Sequence, residues 1–289
     1  MAQYHDRSVA RTLGNALFAW AALVAASAAA ADDFQVLVFS KTSGFRHGSI
    51  AAGTALIEDL GATHGFGVDS TEDGAAFNAA NLSQYAAVVW LSTTGNVLDD
   101  AQQAAFEDYI RAGGGYVGIH AATDTEYDWP WYGGLIGGDA WFQNHPQIQD
   151  ATLNVADATH VSTQHYPPTF ELRDEWYNFR NDPTPVVNVL VTIDETSYSG
   201  GTMGPDHPIS WNHEYDGGRA WYTAMGHRDQ TFADPDFQTH LLGGILWSAG
   251  ASDSAAVPAP GAWGLPLLGA LLTYLGLRAA RTRRRPSSD

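Results

Sequence analysis

The chain has 289 residues and a formal net charge of -18, and half of its 14 Lys and Arg residues lie near its two ends, so the middle is strongly acidic. A surface of that sign repels nucleic acid, which argues against a nucleic-acid partner. The chain has no cysteine, which excludes disulfides, thiolate metal sites and a thiol nucleophile.

Residues 1–31 have the order of parts that is typical of a signal peptide. Arg7 and Arg11 precede an apolar run over residues 16–26, and small residues then continue to Ala31. A first core helix is the alternative, but such a helix would not usually end in five small residues before an acidic pair. The pattern therefore predicts export of the chain and removal of this segment.

Residues 32–250 are enough for one domain with a single sizeable core. In its first half, short apolar β-rich runs alternate with helical patterns. The predicted elements are strands at 34–40, 67–70, 86–92 and 115–121, with helices at 50–64 and 99–112. This alternation predicts βαβ units and a mostly parallel sheet that is covered on both faces, in an α/β fold.

The second half of the domain begins with a segment of different character. Residues 123–177 are rich in Trp, Gly, Pro and His, which predicts long loops and short elements over a site. Two later strands, at 208–214 and 219–225, flank a turn at Asp216 and predict a hairpin on the edge of the sheet. A further strand is expected at 187–193, and Asp234-Pro235 begins a last helix.

The C-terminal segments predict a membrane-tethering or sorting tail. A linker at 251–260 precedes a short apolar helix at 261–280 and a basic end at 281–289. The helix has about the minimum length for a ~30 Å hydrocarbon core, and the arginines would hold its end in the cytoplasm, with the domain outside. The tail resembles the PEP-CTERM family of sorting signals, with Ala259 where that family carries Glu. This resemblance implies a processing enzyme as a partner, and a plain membrane anchor is the alternative.

Polar side chains follow several of the predicted strands, where open α/β sheets bind their ligands. A single loop histidine is more often structural than catalytic, but several groups that converge on one edge favour a functional site. The candidates are Lys41, Arg46 and His47 after the first strand, His120 and Asp124 after the fourth, His227 after the hairpin, and His145, Asp174 and Glu175 from the middle segment. We expect the other loop and helix histidines His64, His160, His165 and His240 to be structural.

Six segments resemble the ThuA-like family, named for trehalose utilisation, in the same order and spacing. They are KTSGFRHGSI (41–50), GGGYVGIHAATDT (113–125), GGDAWFQNHP (137–146), DEWYNF (174–179), HPISW (207–211) and GGRAWYTAMGHRDQTF (217–232). The resemblance implies a flavodoxin-like three-layer sandwich of the class I glutamine amidotransferase type and a role with sugars such as trehalose and their keto derivatives. His120 stands where those amidotransferases carry the catalytic cysteine, so cysteine-dependent glutamine hydrolysis is excluded.

Three hypotheses about function follow. In the first, the protein acts on a carbohydrate or keto sugar by acid-base chemistry, with His120, His227 and Glu175 as catalytic groups and Arg46, His47, Asp124 and Trp141 as substrate-binding groups. In the second, His120, His145 and His227, together with the carboxylate of Glu175, bind a divalent metal such as Zn²⁺. In the third, the domain is a non-catalytic surface module that binds glycans. Trp129, Trp131, Trp141 and Trp176 could stack on sugar rings or belong to the core.

Overall fold

The computed structural model describes residues 34–252, in which short apolar runs form a central sheet. Its strands are β1 (Gln35–Phe39), β2 (Gly67–Thr71), β3 (Ala87–Leu91), β4 (Gly115–Ile119), β5 (Phe142–Asn144), β6 (Gln149–Val155), β7 (Thr169–Asp174), β8 (Asn178–Phe179), β9 (Asn188–Ile193), β10 (Pro208–Tyr215) and β11 (Gly218–Thr223). Its α-helices are α1 (Ile50–His64), α2 (Ala79–Leu82), α3 (Asp100–Arg111), α4 (Pro130–Leu135), α5 (Asp229–Phe232) and α6 (Pro235–Ser248).

Nine strands form the main sheet in the order β2-β1-β3-β4-β11-β10-β9-β6-β7. The first five are parallel to one another, in the 2-1-3-4-5 order of flavodoxin-like sheets, with β11 in the fifth place. The predicted α/β class and parallel βαβ arrangement are therefore confirmed. Because parallel strands share one direction, the carboxyl ends of β1, β3, β4 and β11 lie along the same edge.

The helices cover both faces of the parallel half. Neighbouring side chains of a strand point to opposite faces, and on β3 Trp90 packs against Phe106 of α3, whereas Leu91 lies beside Gly53 of α1. Helix α6 contacts α1 as well as β4 and β11. The sheet therefore lies between a layer with α3 and a layer with α1 and α6, which makes the three-layer sandwich.

The hairpin of β10 and β11 lies inside the sheet, although the sequence predicted it at an edge. Asp216 and Gly217 make its turn with φ values of 48° and 100°, and β11 pairs with β4. The difference arises because β10 continues the sheet through the antiparallel strands β9, β6 and β7. Strands β6 and β7 fall in the segment that was expected to be mostly loops.

The predicted helix ends agree well with the structure where capping residues mark them. Asp99 accepts hydrogen bonds from the backbone N–H groups of Ala101 and Gln102 at the start of α3, and the Gln102 side chain accepts one from the N–H of Asp99 in return. Asp234 caps α6 in a similar way, with Pro235 as the first helical residue.

The predicted terminal signals lie outside the described residues. These are the signal peptide at 1–31, most of the linker at 251–260, the helix at 261–280 and the basic tail at 281–289. Within residues 34–252, no helix is both long and apolar enough to cross a membrane.

Candidate functional site

His120 is the first residue after β4 and has an unusual backbone conformation. Its φ of 50° is in the left-handed region, and its side chain is fully buried. A residue other than glycine or asparagine in this region is strained, and such residues occur often at functional sites. The turn leads from the strand into a short 3₁₀ segment, His120–Thr123, and so places the imidazole at the carboxyl edge of the sheet.

One ring nitrogen of His120 is fixed by the backbone. Nδ1 lies 2.8 Å from the carbonyl oxygen of Ala224, just after β11. Because a carbonyl oxygen can only accept a hydrogen bond, Nδ1 carries a hydrogen and donates it. In the neutral ring this leaves a lone pair on Nε2, which lies 3.2 Å from Nδ1 of His227.

Glu175 reaches this pair from the far end of the sheet, directly after β7. The preceding residue, Asp174, is fully buried and holds the segment in place. Its Oδ2 accepts hydrogen bonds from the N–H of Gly226 at 2.8 Å and from Thr231 Oγ1 at 2.9 Å, and its Oδ1 accepts one from the N–H of Glu175 at 2.9 Å. Asp174 therefore joins the end of β7 to the segment that carries His227.

The carboxylate of Glu175 contacts three imidazoles. Its Oε2 lies 3.1 Å from Nδ1 of His227 and 3.5 Å from Nε2 of His120, and its Oε1 lies 3.1 Å from Nδ1 of His145. The four residues come from four separate parts of the chain. The structure thus brings together every residue that the sequence predicted as catalytic or metal-binding.

His47 adds a fourth imidazole to this group. Its ring centre is 4.8 Å from that of His120 and 5.3 Å from that of His227. The residue is only 5% exposed, and its buried Nδ1 has no hydrogen-bond partner among the described residues. A ring nitrogen of His47, one of His120, one of His227 and an oxygen of Glu175 all lie within 4.8 Å of one another.

The electrostatics of the group follow from burial and close contact. Burial, together with the neighbouring His120 and His227, lowers the pKa of His47 to about 3, so this imidazole is neutral near pH 7. Burial would raise the pKa of Glu175, but its close contacts with His120 and His227 outweigh burial and hold the pKa well below its usual range. Burial would lower the pKa of His227, but Glu175 outweighs it and raises the pKa.

A cavity of about 370 Å³ opens beside these groups. Its volume is within the range of small-molecule sites. The lining residues are Phe45, His47, Asp124, Phe142, His145, Glu175, Tyr177 and His227. Asp124 is half-buried and accepts a hydrogen bond of 2.6 Å from the Tyr127 hydroxyl, and burial raises its pKa. The cavity therefore has carboxylates, imidazoles and apolar rings on its wall.

Two residues predicted to bind substrate lie elsewhere. The guanidinium of Arg46 points to Glu72 and makes two hydrogen bonds, of 2.7 and 3.1 Å, with its carboxylate. Trp141 is buried, and its indole N–H donates to the carbonyl of Thr125. Lys41, which also follows β1, donates to the carbonyl of Val97 at 2.6 Å. All three side chains support the loops around the cavity rather than line it.

Sequence reasoning missed the aromatic residues of the cavity. Phe45 is 66% exposed, and Tyr177 packs on His120 with ring centres 4.4 Å apart. Phe142 contacts Tyr177 at the same ring distance of 4.4 Å. Each aromatic residue lies two or three positions from His47, His145 or Glu175 in the sequence. This closeness could have predicted them, because residues near a candidate in the chain often line the same site.

Comparison with known proteins agrees with this picture. The ThuA family, described as trehalose utilisation, matches residues 35–248. A ThuA-like protein from Bacteroides uniformis has 27% identity and a TM-score of 0.67, over 78% of this chain and 96% of that one. One from Parabacteroides merdae has 20% identity and a TM-score of 0.64, over 78% and 93%.

A cytoplasmic protein from Salmonella typhimurium shares the fold, with 13% identity and a TM-score of 0.50 over 74% of this chain and 98% of that one. Curated proteins give no match. The family match extends from β1 to the end of α6 and includes every residue of the histidine and carboxylate group. The chain therefore belongs to the ThuA family, described as trehalose utilisation.

Proposed function

We propose that this chain is an exported enzyme that acts on a carbohydrate or keto sugar, with His120, His227 and Glu175 as its reactive groups. The observation that carries the proposal is the contact of one carboxylate with three imidazoles on the wall of a 370 Å³ cavity. A structural ion pair needs one partner and no cavity. A group of this composition is suited to moving protons to and from a bound molecule.

The chemistry would be proton transfer next to a sugar carbonyl, as in isomerisation, elimination or hydrolysis of a keto glycoside. His227 lies on the cavity wall with Glu175 at 3.1 Å, so its imidazole can exchange a proton with substrate while the carboxylate orients it. The carbonyl oxygen of Ala224 holds the ring of His120, and Nε2 of His120 lies beside His227 on the side away from the cavity. This pairing of an imidazole with an orienting carboxylate is a common arrangement for general acid-base catalysis.

Substrate binding would use the rings and the carboxylate of the cavity. The rings of Phe45 and Phe142 can pack on the apolar side of a sugar ring, and Asp124 can accept hydrogen bonds from hydroxyl groups. The family description, trehalose utilisation, supports a sugar as the substrate class.

A glycan-binding module without catalysis is less well supported. It depended on tryptophans that are available for stacking, but Trp129, Trp141 and Trp176 are buried in the core. Trp131 packs against Trp129 and donates its indole N–H to Asp216, away from the cavity. The aromatic rings that do line the cavity are adjacent to the histidine and carboxylate group, which favours an enzyme.

Export and tethering are further parts of the proposal, and they rest on the sequence of the two ends. A signal peptide at 1–31 would direct the chain outward. The helix at 261–280 would hold it at the membrane, with the domain outside, until a processing enzyme cuts near Pro258. Cell fractionation and mass determination of the mature chain test this. A chain that stays in the cytoplasm with residues 1–31 intact would contradict it.

The enzymatic part is tested with a panel of disaccharides that includes trehalose and the corresponding keto sugars. We expect turnover of at least one member by the wild-type protein and its loss in His120→Ala, with circular dichroism confirming an intact fold. Unchanged turnover in the folded variant would remove the catalytic role of His120. Sugar binding without turnover that survives both His120→Ala and His227→Ala would favour the binding module.

A further inference from the structure

We propose that His47, His120, His227 and Glu175 form a binding site for one divalent transition-metal ion, of which Zn²⁺ best matches the donor atoms. This inference rests on the proposed function and deepens it, because it names the cofactor of the same site. It also changes the ligand set expected from the sequence, because His47 replaces His145. With the ion bound, Nε2 of His120 and Nδ1 of His227 would be its ligands rather than proton carriers.

The first argument counts hydrogens. Nε2 of His120, Nδ1 of His227 and Oε2 of Glu175 form a triangle with sides of 3.2, 3.1 and 3.5 Å. Nδ1 of His120 already carries the hydrogen that it donates to Ala224. If both imidazoles are neutral, the only hydrogen available to the triangle is on Nδ1 of His227. Each of the three contacts joins two atoms that can carry lone pairs, so one hydrogen cannot satisfy all three. A cation among the three atoms would satisfy all of them at once.

The second argument is the size of the triangle. Zn²⁺ binds imidazole nitrogen and carboxylate oxygen at about 2.0–2.1 Å, so neighbouring ligand atoms of a tetrahedral site are about 3.3 Å apart. The three observed distances, 3.1 to 3.5 Å, bracket this value. The three atoms therefore have the spacing of one face of a zinc tetrahedron without rearrangement.

His47 supplies the fourth ligand. Its candidate nitrogen lies within 4.8 Å of the other three atoms, so a side-chain shift on the order of an ångström would bring it into coordination. The residue is almost completely buried, and its Nδ1 lacks a hydrogen-bond partner among the described residues. An unsatisfied buried ring nitrogen is unfavourable, and coordination of an ion by this ring would remove that cost.

His145 is excluded from the ligand set by its contacts. Its Nδ1 faces two acceptors, the carbonyl oxygen of Pro146 at 2.8 Å and Oε1 of Glu175 at 3.1 Å. This nitrogen therefore carries a hydrogen and has no lone pair for an ion, and the ligand atoms that lie within 4.8 Å of one another do not include one from His145. His145 instead orients the carboxylate from outside, as Ala224 does for His120, and such outer contacts are typical of protein metal sites.

The donor set decides the class of ion. Three imidazoles and one carboxylate suit Zn²⁺ and similar transition-metal ions, whereas Ca²⁺ and Mg²⁺ prefer sites made of oxygen atoms. His227 and Glu175 also line the cavity, so an ion held by them would border the space that a substrate would occupy. The chain's own residues would then bind and orient both the ion and the substrate.

The test measures metal binding without any substrate. The full chain, purified in detergent and treated with a chelator, is titrated with Zn²⁺ by calorimetry. We expect about one Zn²⁺ per chain and at least 100-fold weaker binding in His47→Ala and in Glu175→Gln. The matched variant is His145→Ala, which removes a histidine of the same cavity and should weaken binding only about tenfold. Thermal unfolding of each variant confirms that it is folded.

A second measurement needs no variant. Co²⁺ added to the metal-free wild-type protein should give visible absorption bands of nitrogen and oxygen coordination, which one equivalent of Zn²⁺ removes. Failure of the wild-type protein to bind either ion would overturn the proposal. Zn²⁺ binding that survives His47→Ala in folded protein, or that falls as far in His145→Ala as in His47→Ala, would also overturn it. Because no sugar is present, failure to turn over sugars leaves this result unaffected.

Discussion

Nε2 of His120 lies 3.2 Å from Nδ1 of His227, although the two residues are 107 positions apart in the chain. The sheet explains this contact. Strands β4 and β11 are parallel neighbours whose last residues, Ile119 and Thr223, are aligned. His120 follows the first strand at once, and His227 follows the second after three residues. Any two residues so placed meet at the same edge, so the topology of the fold creates the site.

Asp174 is predicted to hold the site together rather than to react. Its two carboxylate oxygens accept three hydrogen bonds, so Asp174→Asn would turn an NH₂ group toward an N–H or O–H that can no longer be satisfied. We expect a loss of about 2 kcal/mol in the free energy of unfolding, measured by urea denaturation. We also expect lower activity, because Glu175 and Gly226 lose their common anchor.

Asp150→Asn is the matched control for this substitution. Asp150 is exposed and pairs with Arg173 at 2.7 Å, and exposed ion pairs contribute only about 0–1 kcal/mol. Equal destabilisation by the two variants would show that the Asp174 hydrogen bonds have no special role.

Gly226 is predicted to set the position of His227. Its φ is 116°, and a Cβ atom there would lie 3.1 Å from Ile119 and 3.2 Å from Phe232. We expect Gly226→Ala to lower both stability and activity. Gly113 has a similar φ of 98° but open space around it, so Gly113→Ala should have only the backbone cost of a positive φ, about 1–2 kcal/mol. A Gly226→Ala variant with full activity would contradict this role.

Phe45 is predicted to contribute to substrate binding and not to folding. Because its ring is 66% exposed beside the cavity, Phe45→Ala should leave the unfolding midpoint unchanged. It should raise KM up to about tenfold, the value expected for loss of one stacking contact of about 1.4 kcal/mol. Val186, which is 56% exposed, gives the control Val186→Ala, with no effect on KM. Equal KM values for the two variants would rule out a binding role for Phe45.

His240 is predicted to make the protein less stable in acid. It is fully buried, its Nδ1 donates to the carbonyl of Ser162, and burial lowers its pKa to about 3. His165 and His160 nearby contribute to this lowered pKa, and burial lowers their own pKa values as well. The unfolded chain, with a pKa near 6.5, takes up the proton first, so stability is complete above pH 6.5 and is lost as the pH falls toward 3.

The variant His240→Asn isolates this contribution. Between pH 4 and 6, the slope of the unfolding free energy against pH should fall by about 1.4 kcal/mol per pH unit, the value for one proton. Urea denaturation at several pH values measures the slope. An unchanged slope would show that His240 does not take part in acid unfolding.

Local patterns in the sequence were sufficient to predict the parallel half of the fold. A short β-branched apolar run such as 86–92 favours an interior strand, and Asp99 and Asp234 mark helix starts by their capping hydrogen bonds. The antiparallel half was harder to predict, because β6 and β7 carry partly exposed side chains and lack an apolar run. Strand β6 pairs with β9 and β7 pairs with β6, and a local pattern does not encode these partners.

The site shows the same division. His120 and His227 could be predicted because each follows a strand of the parallel half. The place of Glu175 depends on Asp174, whose contacts with Gly226 and Thr231 span more than 50 residues. Whether His47 or His145 lies beside His120 and His227 depends on the direction of each side chain, which a local pattern does not encode. Arg46 could not be excluded from sequence, because its partner Glu72 lies on a separate loop.

Turnover by Glu175→Gln tests the central claim most directly. Glutamine keeps the size of the side chain but removes the charge that faces His120, His145 and His227. We predict that the wild-type protein turns over at least one disaccharide or keto sugar of the panel, and that kcat falls at least 100-fold in the folded variant, within the usual range for loss of acid-base catalysis. Equal kcat values for the two proteins, or no turnover of any sugar by the wild-type protein, would contradict the account.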